Sequence, residues 1–140
     1  MITSGFFWPT AAYAMSQDKK ARDESKLCEF LEGVRRRCPE HLGVLESLGD
    51  LYTRMGRHED GLEIDQWLTD RHPDNDMYWY NLACSLSLVG RIDDALSALE
   101  TSVDRGYDDV AWMLKDSDLA AVRKTDAFQR LIKRLKGVNP

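Results

Sequence analysis

Apolar residues return at helical spacing through the middle of the chain, and the pattern breaks twice at glycine. Leu45, Leu48, Leu51-Tyr52 and Met55 lead to Gly56, and Trp79, Leu82-Ala83, Leu86 and Val89 lead to Gly90. A polar turn follows each glycine, Arg57-His58-Glu59-Asp60 or Arg91-Ile92-Asp93-Asp94. A second apolar run then begins: Leu62, Ile64, Trp67 and Leu68 after the first turn, Ala95, Leu96, Ala98-Leu99 and Val103 after the second. Recurrence near i, i+3, i+4 and i+7 predicts amphipathic helices. Glycine ends a helix because it takes the left-handed conformation without a Cβ clash. The acids beyond it open the next helix at the positive end of its dipole. Each unit reads as helix, tight turn, helix.

The two units superpose at a fixed offset. Residues 42–75 laid over 76–109 place Leu48 on Leu82, Gly56 on Gly90, Arg57 on Arg91, Asp60 on Asp94 and Asp70-Arg71 on Asp104-Arg105, each pair 34 positions apart. A period of this size marks a stacked repeat, in which one hairpin buries its apolar face only against its neighbours. The layout resembles the tetratricopeptide repeat (TPR) family. That family's first-helix pattern is matched by Leu45-x-x-Leu48-Gly49-x-x-Tyr52 and by Trp79-x-x-Leu82-Ala83-x-x-Leu86. Gly61 and Ala95 stand at the small position where the helices of a unit touch, and Pro73 closes the first unit. Leu45 replaces the usual Trp, Leu86 the usual Tyr, Asp65 an apolar residue and Tyr107 the closing Pro. The resemblance implies an all-α fold, a right-handed α-α superhelix (TPR solenoid) of two clear repeats.

One period upstream, Leu27, Leu31 and Val34 fall where Gly61, Asp65 and Leu68 fall later, and Pro39 falls where Pro73 does. Residues 24–38 therefore read as the second helix of a degraded N-terminal hairpin. Residues 1–23 are either its first helix, over Pro9–Lys20, or a flexible arm carrying Phe6-Phe7-Trp8. Such an aromatic cluster either covers the end of the stack or docks on another molecule. Downstream, Asp108-Asp109, Asp116-Ser117-Asp118 and Thr125-Asp126 are caps for short helices. The last of these carries Phe128, Leu131-Ile132 and Leu135, and Gly137 and Pro140 stop it. Residues 110–136 thus read as capping helices. They resemble the tail that covers the open core after the last repeat in many short bacterial members of the family.

Composition limits the choice of function. The 140 residues are 43% hydrophobic and 31% charged, which describes one globular domain, 1–140. No apolar run approaches the roughly 20 residues of a membrane helix. Phe6-Phe7-Trp8 lacks a preceding basic region, so a signal peptide is not expected. Cys28, Cys38 and Cys84 show no CxxC spacing, which suits reduced thiols and a cytoplasmic location. Residues 39–109 carry five basic and sixteen acidic side chains, whereas residues 110–140 carry seven basic and three acidic. An acidic repeat body disfavours nucleic acid as a partner. The basic end either complements its own helix dipole or meets an acidic surface, including that of another copy.

No enzyme is expected. His41, His58 and His72 lie in predicted turns, outside any HExxH or other ligand spacing. No phosphate-binding glycine loop is present. The adjacent acids Glu59-Asp60, Asp93-Asp94 and Asp108-Asp109 all open helices and read as caps. Catalytic residues, cofactors and metal ligands are therefore not assigned. Binding remains.

In the family the first helices of successive units line a concave groove that holds a peptide. Carried over residue by residue, those places are Gly43, Glu46, Asp50 and Thr53, then Met77, Tyr80, Asn81, Cys84 and Leu88. Met77 and Tyr80 flank Trp79, which is expected to face the core, so this side of the helix is expected to be covered. The groove is expected to be apolar in its middle and acidic at one end through Glu46 and Asp50. It suits a segment with apolar anchors and a basic residue, unless the arm or the tail fills it. Family members that hold the acidic tails of heat-shock chaperones use a clamp of Lys, Arg and Asn. Asn81 falls on one clamp place, but Glu46 and Asp50 fall where the clamp Lys and Asn would be, so that function is rejected. Two readings follow: an adaptor or scaffold for a protein or peptide partner, or a self-associating module whose arm or basic tail docks on the acidic body of another copy.

Overall fold

The glycines that punctuate the pattern sit where the chain turns. In the computed structural model, which describes residues 11–137, Gly56 has φ +73° and Gly90 has φ +82°. The hydrogen bonds around them match. Arg57 N donates to Tyr52 O at 2.8 Å and Gly56 N to Thr53 O at 3.1 Å. Arg91 N donates to Leu86 O at 2.9 Å and Gly90 N to Ser87 O at 3.1 Å. This pair of bonds satisfies carbonyls left open at a helix end.

The described chain is all helical: α1 (Ala11–Arg37), α2 (Leu42–Arg54), α3 (His58–Arg71), α4 (Asp76–Leu88), α5 (Ile92–Asp104), α6 (Val110–Met113), a 3-10 turn (Ser117–Leu119), α7 (Ala120–Arg123) and α8 (Asp126–Leu135). Each of α1 to α4 packs on the next helix. Among the described residues no helix is long and apolar enough to cross a membrane.

Side chains fix most helix starts. His41 Nδ1 accepts from Val44 N at 3.3 Å and Asn75 Oδ1 from Tyr78 N at 3.1 Å. Asp109, Asp116 and Thr125 cap the tail segments in the same way. The acids of the repeat turns act differently from the capping reading. Neither α3 nor α5 has a side-chain cap. Instead Arg57 Nε donates to Asp60 at 2.7 Å and Arg91 Nε to Asp94 at 2.9 Å. Each arginine ties down the first turn, and the carboxylate still faces the helix's positive end.

The N-terminal hairpin is corrected. In place of a turn between Lys20 and Glu24, α1 runs unbroken from Ala11 to Arg37. Gln17-Asp18-Lys19-Lys20 contain neither Gly nor Pro, so nothing in them stops a helix. Every side chain from Ala11 to Asp23 is exposed, and Cys28 is the residue that α1 buries. Phe6-Phe7-Trp8, Pro9 and Pro140 lie outside the described residues. Gly137 closes α8 at φ +69°.

Two apolar clusters form. The first joins Cys28 of α1, Val44 to Tyr52 of α2, Ile64 and Leu68 of α3, and Tyr78 of α4. The second joins Tyr80 to Leu86 of α4, Ala95 to Leu99 of α5, and the tail residues Met113, Leu119, Val122, Phe128, Leu131 and Ile132. Trp79 is half-buried against the second cluster, its Nε1 donating to Pro73 O at 2.8 Å. A polar knot fastens α1 to the turn after α2. Arg57 pairs with Glu32 at 3.1 Å and lies over the Tyr52 ring at 4.5 Å, and Tyr52 Oη donates to Glu32 at 2.8 Å. The Tyr52 hydroxyl, followed by Arg57, holds the Glu32 carboxyl below its usual range.

Small residues bring α2, α3 and α4 together. A Cβ at Gly61 would lie 3.6 Å from Thr53 Oγ1 and 3.8 Å from Gly49 O and Ser85 Oγ, which is ordinary contact. Gly61→Ala is therefore expected to raise unfolding free energy by about 0.5–1 kcal/mol, because alanine loses less backbone freedom on folding. Gly56→Ala is expected to lower it by about 1–2 kcal/mol through its left-handed φ. Urea unfolding should move the two midpoints in opposite directions. A lower midpoint for Gly61→Ala would show that this contact has no room for a methyl group.

A candidate acidic peptide-binding cleft

Helical spacing gathers the cleft. Glu46, Asp50 and Thr53 follow one face of α2, and Met77, Tyr80-Asn81 and Cys84 follow one face of α4. These seven line a cavity of about 300 Å³, which the tail closes with Trp112, Asp116 and Asp118. Leu88, one turn beyond Cys84, does not line it, and neither does Gly43 in the first turn of α2.

The expected distribution of polarity changes. Tyr80 is 3% exposed and serves as wall rather than open groove surface. Its hydroxyl donates to Asp116 Oδ2 at 2.7 Å, and its ring stacks on Tyr107 with centroids 4.2 Å apart. The tail thus takes up the side of α4 on which an apolar residue looks misplaced in the sequence. Met77 and Trp112, 50% and 45% exposed, supply the open apolar surface instead.

Negative charge is not confined to one end either. Glu46 and Asp50 lie at the α2 rim, Asp65 of α3 lies at the floor, and Asp116 and Asp118 lie on the tail side. Some of this charge is engaged. Glu46 accepts from Tyr78 Oη at 2.6 Å, and Asp50 pairs with Arg54 at 3.4 Å. Lys115 sits over Trp112 at 5.4 Å. The basic tail is partly engaged as well, through Arg134 and Asp104 of α5 at 3.0 Å.

Asp116 organises the tail side. Its Oδ2 accepts from Tyr80 and from the Cys84 thiol at 3.7 Å, its Oδ1 accepts from Asp118 N at 3.0 Å, and its backbone oxygen accepts from Arg123. Cys84, Asp116 and Asp118 bring potential ligand atoms within 4.8 Å of one another. A cation held there would have to take Asp116 from Tyr80 and remove the Cys84 proton. Burial, then Asp116 and Asp118, push that thiol well above its ordinary range. Protonated sulfur is a poor nucleophile and a poor metal ligand. Asp118 is also raised, by burial and then Asp116, with His58 opposing.

Asp65 differs from the other carboxylates. It is 7% exposed, and burial pushes its pKa up to about 6, while the hydrogen bond from Ser85 Oγ to its Oδ2, at 2.5 Å, acts the other way. Among the described residues no Lys or Arg pairs with it.

Sequence reasoning missed Asp65, Ser85, Trp112, Asp116 and Asp118 as cleft residues. Asp65 is visible in the sequence as a carboxylate at an apolar place in the period, a signal easily taken for a loose match. Asp116 and Asp118 read there only as a helix cap, which Asp116 also is.

No protein-family model matches the chain, and no solved structure matches it. The chain is 30% identical over 114 residues to a chloroplastic protein of Arabidopsis thaliana. The match covers 79% of this chain and 33% of that protein, so the chain spans about a third of the length of this curated relative.

The position of Asp65 gives a stability prediction with a definite sign. In the fold it keeps its proton to about pH 6, against an ordinary value of 3.8. Between those values the folded state binds more protons, so this group's contribution to stability falls as pH rises and is fully lost above about pH 6. Asp65→Asn keeps an acceptor for Ser85. It should be more stable than the parent at pH 7.5 by on the order of 2 kcal/mol, with the gap closing toward pH 4. Urea unfolding at both pH values measures it. A variant less stable at pH 7.5 would mean that the ionised carboxylate has a favourable partner in the fold.

Proposed function

We propose that this chain is a short TPR-type solenoid, a right-handed superhelix of helical hairpins, that works as an adaptor by holding a segment of another protein in the acidic cleft. The observation that carries the reading is the convergence of Glu46, Asp50, Thr53, Met77, Tyr80, Asn81 and Cys84, chosen by repeat register, on one cavity. The 34-residue period and the repeated glycine turns support it. The cleft favours a segment with apolar anchors and a basic residue, because its rim and floor are anionic and Met77 and Trp112 offer apolar surface. Binding rather than catalysis is favoured by the protonated Cys84 and by carboxylates already engaged in hydrogen bonds. The acidic body speaks against nucleic acid, and the three free thiols suit a reducing compartment such as the cytoplasm. Glu46 and Asp50 are exposed, and because Glu46 also accepts from the core residue Tyr78, the reversed variant is compared with the parent in urea unfolding first.

Peptides selected from a displayed random library on the full chain should perturb amides of α2 and α4 in NMR titrations. They should bind Glu46→Lys/Asp50→Lys at least about tenfold more weakly, since each close charge pair lost or reversed is worth several-fold. Peptides that leave those amides unmoved would remove the adaptor reading; peptides that move them but bind the reversed variant equally would remove the preference for a basic residue.

Self-association has its own support, because Arg130 and Lys133 of α8 are exposed on the same chain as an acidic body. Light scattering separates the two. A constant 16.1 kDa at low and high concentration belongs to the adaptor. A mass that grows with concentration and falls with added salt belongs to self-docking.

A further inference from the structure

We infer that the cleft recognises a lysine of its partner, and that Asp65 is the residue that selects lysine over arginine. This rests on the adaptor reading and deepens it. One carboxylate oxygen of the cleft lacks a partner among the described residues. Ser85 occupies Asp65 Oδ2, and no donor among the described residues reaches Oδ1. The carboxylate is nevertheless more than nine-tenths buried and lines the cleft. A buried carboxylate calls for a cation or a full set of hydrogen bonds, and here the described residues supply one donor.

Space is left for the missing partner. Gly49 of α2 faces Asp65, and a Cβ there would stand 3.6 Å from Oδ1. That is ordinary contact, so an alanine methyl would fit but would take up one side of the oxygen, which the glycine leaves open to the cleft. The arginines of the repeats are spent elsewhere: Arg54 on Asp50 and Glu24, Arg57 on Asp60 and Glu32, Arg71 on Glu40, Arg91 on Asp94 and Arg105 on Asp74. The other described cations, Lys115 over Trp112 included, form no ion pair with Asp65 either, so the cation is taken to come from the partner.

Geometry chooses between the two bases. A guanidinium binds best as a planar fork across both oxygens of a carboxylate. With Oδ2 taken by Ser85, Asp65 offers a single oxygen to the cleft. An ammonium is a compact charge with three rotatable donors and can use one buried oxygen while Asp116 or Asp118 draws on its remaining charge. Its four-carbon stem lies well against apolar surface such as Met77 and Trp112.

The test uses fluorescein-labelled peptides from the library selection, each made with lysine, arginine or norleucine at its basic position, on the full chain. Lysine should bind about tenfold or more tightly than norleucine, as for a hydrogen bond to a charged group, and several-fold more tightly than arginine. Asp65→Asn should bring lysine and arginine within about twofold of each other, both still above norleucine because Glu46, Asp50, Asp116 and Asp118 remain. Gly49→Ala, which puts a methyl group beside Oδ1, should weaken lysine binding more than norleucine binding, and it carries the test if Asp65→Asn does not fold. Asp118→Asn should weaken all basic peptides and keep the preference for lysine. Arginine binding as well as lysine, or a lysine preference that survives Asp65→Asn, overturns the inference. Cleft-binding peptides without any base also overturn it, while leaving the adaptor reading in place. If no selected peptide perturbs α2 and α4, both fall together.

Discussion

Everything in this molecule depends on how closely α3 approaches α4. The described residues form two apolar clusters, one centred on α2 and the other on α5 and the tail, and α3 against α4 is where they meet. Helices come close where side chains are small, and Gly49, Gly61 and Ser85 are gathered at this junction. Across it lies one charged group, Asp65, held by Ser85 at 2.5 Å. An apolar residue at that place would pack without desolvation cost. The carboxylate weakens the seam at neutral pH, and its benefit must be sought where its free oxygen points, which is the cleft.

The tail is as much a part of the site as the repeats. Met113, Leu119, Val122 and Phe128 complete the second cluster, and the same segment carries Trp112, Asp116 and Asp118 to the third side of the cavity. Asp116 does both tasks at once. It starts a helical turn, accepts from Tyr80 and Cys84, and places negative charge beside them. A cap over the core and a wall of the cleft are thus one structure.

The turns are legible in the chain because their causes are local. A glycine after an apolar run, or Asp109 and Thr125 before one, acts on backbone groups within a few residues. The face of each helix is legible too, since the period and the register place Glu46, Asp50 and Met77 on one side. What the pattern does not show are contacts between distant positions. Tyr80 looks like open groove because its partner Asp116 lies 36 residues on, and Asp65 looks like a flaw because Ser85 lies 20 residues on. The hairpin expected before Arg37 fails for another reason. Repeat register demands a turn there, but no residue from Gln17 to Lys20 can break a helix.

The uneven charge of the chain, acidic through the repeats and basic in the last helices, has a kinetic consequence. The cleft opens on the negative part, and α8 carries the positive part in the tail. Such a molecule orients an approaching cationic segment before touching it, within a Debye length of about 8 Å at physiological ionic strength. Encounter should then be fast, with most of its salt dependence in the association rate, while the lifetime of the complex is set by contacts deep in the cleft.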